Sequence, residues 1–284
     1  MSGARRSGYD PTVTTFRVGY IQARPRFGRA AENLERALAL AATAPADLIV
    51  IPELWSTGYV FSSRAEAASL AEDAEGGATA RALRAAARRE KRHYIAGFAE
   101  RDGGRLYNSA MLVGPNGVRA VYRKLHLFER ERDWFSPGDL PLGVHRVGPA
   151  RVGMMICFDW AFPEVTRALA LMGADVIAHP SNLVFPKNGQ RAMLIRSLEN
   201  RVFTVTANRT GRDVRPIGTL SFTGRSQITD PRGERLVGSG AANEEARAVA
   251  CDLGLARDKS LTRRTHLFES RRPSFYRRVV ASRP

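Results

Sequence analysis

Cysteine is nearly absent from this 284-residue chain: only Cys157 and Cys251 occur. Two thiols make no disulfide framework, and neither falls in a C-x-x-C or a Cys/His ligand cluster. The five histidines are scattered, so no metal site and no cofactor are expected. Long apolar runs are missing too. Arg5 and Arg6 are followed by no signal-type apolar segment, Arg17 interrupts the only stretch that approaches one, and nothing reaches membrane-spanning length. A protein of the reducing cytoplasm, with no membrane partner, is the expectation. Sequence repeats, low-complexity segments and a G-x-S-x-G element are also lacking.

Lysine is scarce as well, limited to Lys91, Lys124, Lys187 and Lys259, yet the formal charge is +16. Arginine supplies it. The arginines are spread along the chain among acidic residues, except in the C-terminal stretch RRTHLFESRRPSFYRR. This pattern reads as a solvated surface with some ion pairs between subunits, and no nucleic-acid partner is expected.

The apolar fraction of 44% supports a substantial core. Strand-like runs alternate with helical ones: FRVGYIQ, DLIVIPEL, HYIAGFAE, NSAMLVG, RAVYRKLHLF, VGMMICF, ADVIAHP, VFTVTANR, SQITD and RAVACDL. GPNG at 114–117 suits a hairpin turn. Helices are expected at 28–44, 78–92, 163–173 and 188–201, the third opening on Pro163 and closing at Gly173. Many strands and few helices predict two sheets packed face to face with helices outside, in a single α/β domain.

Cys157 ends one apolar strand, and a helix follows shortly. Such a turn exposes a nucleophile and aims backbone N–H groups at one point. A buried core cysteine is the plain alternative, so an activating partner is needed. His179 and His126 lie at strand ends, but nothing in the sequence sets either beside the thiol. Glu53, after the run LIVI, and Lys124, in YRKLHLF, are further candidates at strand ends, each weak alone.

Together, LIVIPELWSTGY, YRKLHLF and GMMICFDWAFPE resemble, in order and spacing, the three signature segments of the nitrilase superfamily of carbon–nitrogen hydrolases. GADVIAHPSNL, RSLENRVFTVTANRTG and FTGRSQITDPRGE are similar to its later segments. The resemblance runs from about residue 16 to about residue 255. It implies a four-layer α-β-β-α sandwich, with Glu53 as general base, Lys124 as oxyanion stabiliser and Cys157 as nucleophile. It further implies a second glutamate six residues before the proline of a P-G-D element, here Glu131 ahead of Pro137-Gly138-Asp139, with Glu129 the nearby alternative.

That chemistry is physically coherent. A thiol is only slightly ionised at neutral pH and needs a base or a positive field. A carboxylate removed from water is a better base. The resemblance implies attack of Cys157 on an amide or nitrile carbon, a covalent thioester, and release of acid and ammonia. Phe158-Asp159 after the cysteine leans towards amidases, where classical nitrilases carry Trp-Glu. Ala161 replaces an arginine found in relatives that act on carboxylate-bearing amides, so a small neutral substrate is expected, an amide first and a nitrile second. Tyr59, Trp134, Phe158, Trp160 and Asn182 are the candidate substrate contacts. Residues 1–15 are expected to be an N-terminal extension, 16–255 the hydrolase domain, and 256–284 an arm reaching another subunit of a homodimer or larger homo-oligomer. Cys251 is expected to be an inert core thiol.

Overall fold

The computed structural model describes residues 15–281. The chain opens with β1 (Thr15–Gln22), α1 (Ala30–Ala42), β2 (Leu48–Ile51), α2 (Arg64–Leu70), α3 (Ala78–Glu90), β3 (His93–Asp102), β4 (Arg105–Gly114), β5 (Gly117–Arg123) and a single turn, α4 (Glu131–Trp134). Next come β6 (Val144–Val147), β7 (Ala150–Met154), α5 (Pro163–Leu171), β8 (Val176–Ser181), α6 (Asn188–Asn200) and β9 (Phe203–Asn208). A hairpin of β10 (Thr210–Arg215) and β11 (Gly218–Thr223) precedes β12 (Gln227–Thr229), β13 (Arg235–Gly238) and β14 (Glu245–Asp252). The described chain ends through α7 (Leu253–Arg257), β15 (Ser260–Thr262), β16 (Thr265–His266) and two short 3₁₀ turns.

Two six-stranded sheets result, ordered β14-β1-β2-β3-β4-β5 and β13-β12-β9-β8-β7-β6. In each, three neighbouring strands run parallel: β1, β2 and β3 in one, β7, β8 and β9 in the other. Side-chain alternation decides the layers. Phe16, Val18, Tyr20, Leu48 and Val50 face the second sheet and meet Val152, Val176, Ala178 and Val205. The intervening Ile21, Ile49 and Ile51 face α1 and α3. Ile177 likewise turns away from the inter-sheet core, towards α5 and α6 with Met155, Leu169 and Met193. Strands covered on both faces read as continuous apolar runs, which is why LIVI and ADVIA show no polar alternation. The product is the α-β-β-α sandwich.

Several elements differ from the sequence reading. The strand expected through DLIVIPEL stops at Ile51, because Pro52 cannot donate to the ladder and Leu54 adopts φ +47°. That expected through RAVYRKLHLF stops at Arg123, and 124–130 is irregular chain. β6, β10, β11 and β13, and the helices α2, α4 and α7, were not foreseen; they are short or partly polar and carry little periodic signal. Nearly all of the expected extension at 1–15 lies outside the described residues, as do the last three residues of the arm. Cys251 lies in β14, buried, and burial pushes its thiol up to about 12.

Candidate active site

Glu53, Lys124, Cys157 and Asn182 each follow directly or closely the carboxyl end of a strand: β2, β5, β7 and β8. Sheets of this kind leave their loops, and hence their chemistry, at such ends. Gly97 makes room for the first of them. A Cβ there would lie 2.4 Å from the Cα of Glu53 and 2.7 Å from the Leu54 nitrogen. The same glycine pairs with the Glu53 turn on both sides, donating to the Pro52 carbonyl and accepting from Trp55 N–H.

Period-two geometry at the end of β5 sends neighbouring side chains opposite ways. Arg123 binds Glu100, Asp102 and Asp139 on one face. Lys124 enters the interior on the other. Its Nζ donates to Glu53 Oε1 at 2.8 Å and to Glu131 Oε1 at 2.7 Å, with all three side chains fully buried. The P-G-D element holds this strand end, since Gly138 N–H donates to the Lys124 carbonyl. A Cβ at Gly138 would stand 2.2 Å from the Arg123 carbonyl oxygen.

Burial opposes the Lys124 charge, but Glu131 and Glu53 outweigh it and hold the ammonium above its ordinary range. Burial, eased by Lys124 and reinforced by Glu53, raises the proton affinity of Glu131. Tyr59 donates its hydroxyl to Glu131 Oε1 at 2.5 Å, and Phe128 N–H reaches Oε2 at 3.2 Å. Asn108 Nδ2 donates to Glu53 Oε1 at 2.7 Å. Glu53 Oε2 is buried and has no hydrogen-bond partner among the described residues. One oxygen of Glu53 is thus fixed, and the other is unpartnered.

Cys157 is only 6% exposed and opens a 3₁₀ turn with φ +40°, a left-handed conformation that a non-glycine residue adopts at a cost. Two contacts hold it. His179 donates from Nε2 to the Cys157 carbonyl at 2.9 Å, while its Nδ1 sits 3.1 Å from the Thr206 hydroxyl. Burial lowers His179 to about 4, so the ring is neutral and serves as an anchor. Asp159 accepts from Ile156 N–H and Tyr122 hydroxyl with one oxygen, and from His126 N–H and Nδ1 with the other. The cysteine turn and the lysine loop are thereby tied to the same carboxylate.

Burial first, then the charge of Glu53, pushes the Cys157 thiol well above its ordinary range, while Lys124 and the Asn182 backbone N–H oppose the shift. The resting group is therefore the thiol. Asn182 Nδ2 donates to the Glu53 carbonyl at 3.0 Å and so joins the two strand ends.

Phe158, Trp160 and Asn182 line the cavity at Cys157, together with Phe128, Leu183 and Phe185. Tyr59 and Trp134 line a neighbouring cavity with Glu131. Glu129 is exposed at the rim of that second cavity, whereas Glu131 is the glutamate bound to Lys124. Asn108, Asp159 and Phe128 were missed at the level of sequence; a buried Asn in the strand run NSAMLVG was the one signal available. Among the described residues no group of three or more His, Cys, Asp or Glu is placed to hold a metal ion.

An α-β-β-α sandwich with a buried Glu-Lys pair beside a strained cysteine turn defines a thiol hydrolase scaffold. The carbon–nitrogen hydrolase family model matches residues 17–260, and the chain belongs to that family, within the nitrilase superfamily. A nitrilase from Pyrococcus abyssi is 44% identical over 263 residues, covering 92% of this chain and 98% of its own. An (R)-stereoselective amidase from Pseudomonas sp. is 38% identical over 84% of this chain and 85% of its own. Among solved structures, an amidase from Nesterenkonia sp., with the acetamide moiety of fluoroacetamide attached at its active-site cysteine, superposes with TM-score 0.77 at 25% identity, covering 96% of this chain and 99% of its own. The protein is a carbon–nitrogen hydrolase.

Proposed function

We propose that the enzyme hydrolyses a small neutral amide to its acid and ammonia through a thioester on Cys157. The unpartnered Oε2 of Glu53, beside a thiol that carries its proton at rest, is the observation that supports this most directly. As Cys157 Sγ bonds to the carbonyl carbon, the S–H proton passes to Glu53. The developing oxyanion is met by the Lys124 ammonium and the Phe158 backbone N–H. Protonated Glu53 gives its proton to the nitrogen, the C–N bond breaks, and ammonia leaves. Water then loses a proton to Glu53 as its oxygen attacks the thioester; the C–S bond breaks, and the sulfur recovers its proton. Glu131, sharing Lys124 with Glu53, positions the ammonium and the substrate.

A small neutral acyl group suits the lining at Cys157, which holds no charged side chain. The nitrile reading is supported by the name of the Pyrococcus relative. A nitrile takes the same path through a thioimidate and consumes a second water. Ammonia release from matched amide and nitrile pairs tests both: we expect a higher kcat/KM on the amide, with Cys157→Ala silent on each. A faster nitrile reverses the order; equal activity in Cys157→Ala overturns the assignment.

We further infer that residues 16–255 form the hydrolase domain and that residues 256–284 act as an arm in a cytoplasmic homodimer. Leu171 at the end of α5 and Met172 just after it, Ile195 and Leu198 on α6, and Phe275, Val279 and Val280 in the arm are exposed apolar side chains that support an interface there.

A further inference from the structure

Two cavities adjoin the catalytic groups, and they differ greatly in size. The one lined by Cys157 measures about 10 Å³. It is by far the more constricted of the two spaces. The other measures about 250 Å³ and is lined by Tyr59, Glu131, Trp134, Ile217 and Leu220. The thiol therefore opens on the small cavity and Glu131 on the large one. Phe128 is the only residue common to both linings.

Its surroundings allow the ring to move while the chain stays put. Lys124 and Glu131, which bracket it in sequence, are fixed by their ion pair, and Phe128 N–H is bound to Glu131 Oε2. The half-buried ring lies against two other rings, Phe158 at 5.1 Å and Phe185 at 5.6 Å between centroids. Phe185 is itself exposed. A ring held by such contacts can rotate without breaking a hydrogen bond.

We propose that Phe128 is the specificity-determining partition of this enzyme. Substrate enters through the larger cavity, the ring swings aside to join it to the space at Cys157, and the volume then released limits the acyl group that can be attacked. This rests on Cys157 being the nucleophile of the proposed reaction.

The test measures two ratios in wild type, Phe128→Ala and Phe128→Trp. The first is kcat/KM for hexanamide relative to acetamide. The second is the alkylation rate of Cys157 by N-benzyl iodoacetamide relative to iodoacetamide, followed by peptide mass and needing no turnover. A methylene in an apolar pocket discriminates by about 10- to 200-fold, so Phe128→Ala is expected to raise both ratios by at least about tenfold and Phe128→Trp to lower them. Both ratios unchanged in both variants overturns the partition. If Phe128→Ala does not fold, Phe128→Leu and Phe128→Trp carry the comparison in opposite directions. Wild type that releases no ammonia from any amide or nitrile defeats the proposed reaction, and the alkylation ratio still decides the role of Phe128.

Discussion

At the scale of single residues, the site is governed by burial of charge. Lys124 stands between two buried carboxylates, and a buried ammonium is tolerable only when so paired. The Cys157 thiol, near the charge of Glu53 and cut off from water, keeps its proton. His179 shows the reverse case, a neutral base kept neutral. Its folded-state value is about 4, against the ordinary 6.5. Between those two values the unfolded chain binds the extra proton, so stability rises with pH there. The contribution is fully present above about 6.5 and is lost as pH falls towards 4, up to about 3 kcal/mol for a shift of this size. Urea unfolding of wild type and His179→Gln from pH 7 to pH 4 checks this. The wild-type curve should lose more stability over that window; parallel curves would defeat the anchoring role.

Elements set the distances that these residues need. β2 and β3 run parallel in register, with Ile51 opposite Ala96, and Gly97 is the next residue along. Because a Cβ at Gly97 would lie 2.4 Å from Glu53 Cα, Gly97→Ala must push the Glu53 turn away. Overpacking of this kind costs about 1–3 kcal/mol. A shift of about 1 Å in a catalytic group can cost about a hundredfold in rate. Reduced kcat in a variant that still folds, with KM less affected, is the expected outcome; wild-type kcat would show that Glu53 is not held by this contact. How far such elements were legible varied. LIVI announced β2 and VGMMI the buried end of β7, because strands covered on both faces are apolar there; Arg151 earlier in β7 is exposed. The β10–β11 hairpin, TGRDVR paired with GTLSFT, was invisible because its faces are largely polar, yet it supplies the wall of the larger cavity through Ile217 and Leu220.

The whole molecule brings together groups that the chain keeps far apart. Lys124 and Glu53 are 71 positions apart, and Asn182 reaches the Glu53 carbonyl across 129. The outside of the sandwich carries the proposed assembly. Ile195 is 51% exposed and Leu198 47%, both on α6, which makes them harmless to the fold and costly to leave in water. Ile195→Glu with Leu198→Glu should convert a dimer into a monomer by light scattering, with the melting temperature of the monomer little changed. A wild-type mass equal to one chain, or a double variant that stays dimeric, removes α6 from the interface.

The sequence by itself determined the central strands and the four longer helices, since apolar periodicity is a property of neighbouring positions, while the four-layer class and the three motif residues were legible through the resemblance of their segments to the superfamily's. Tertiary structure alone decided that Glu131 shares Lys124 with Glu53, that Asn108 binds Glu53 and Asp159 binds the turn at Cys157, and that Phe128 lines both cavities. Those relations are distances and volumes between separate strand ends. They come into being only when the two sheets pack, because no local propensity records which loops will meet.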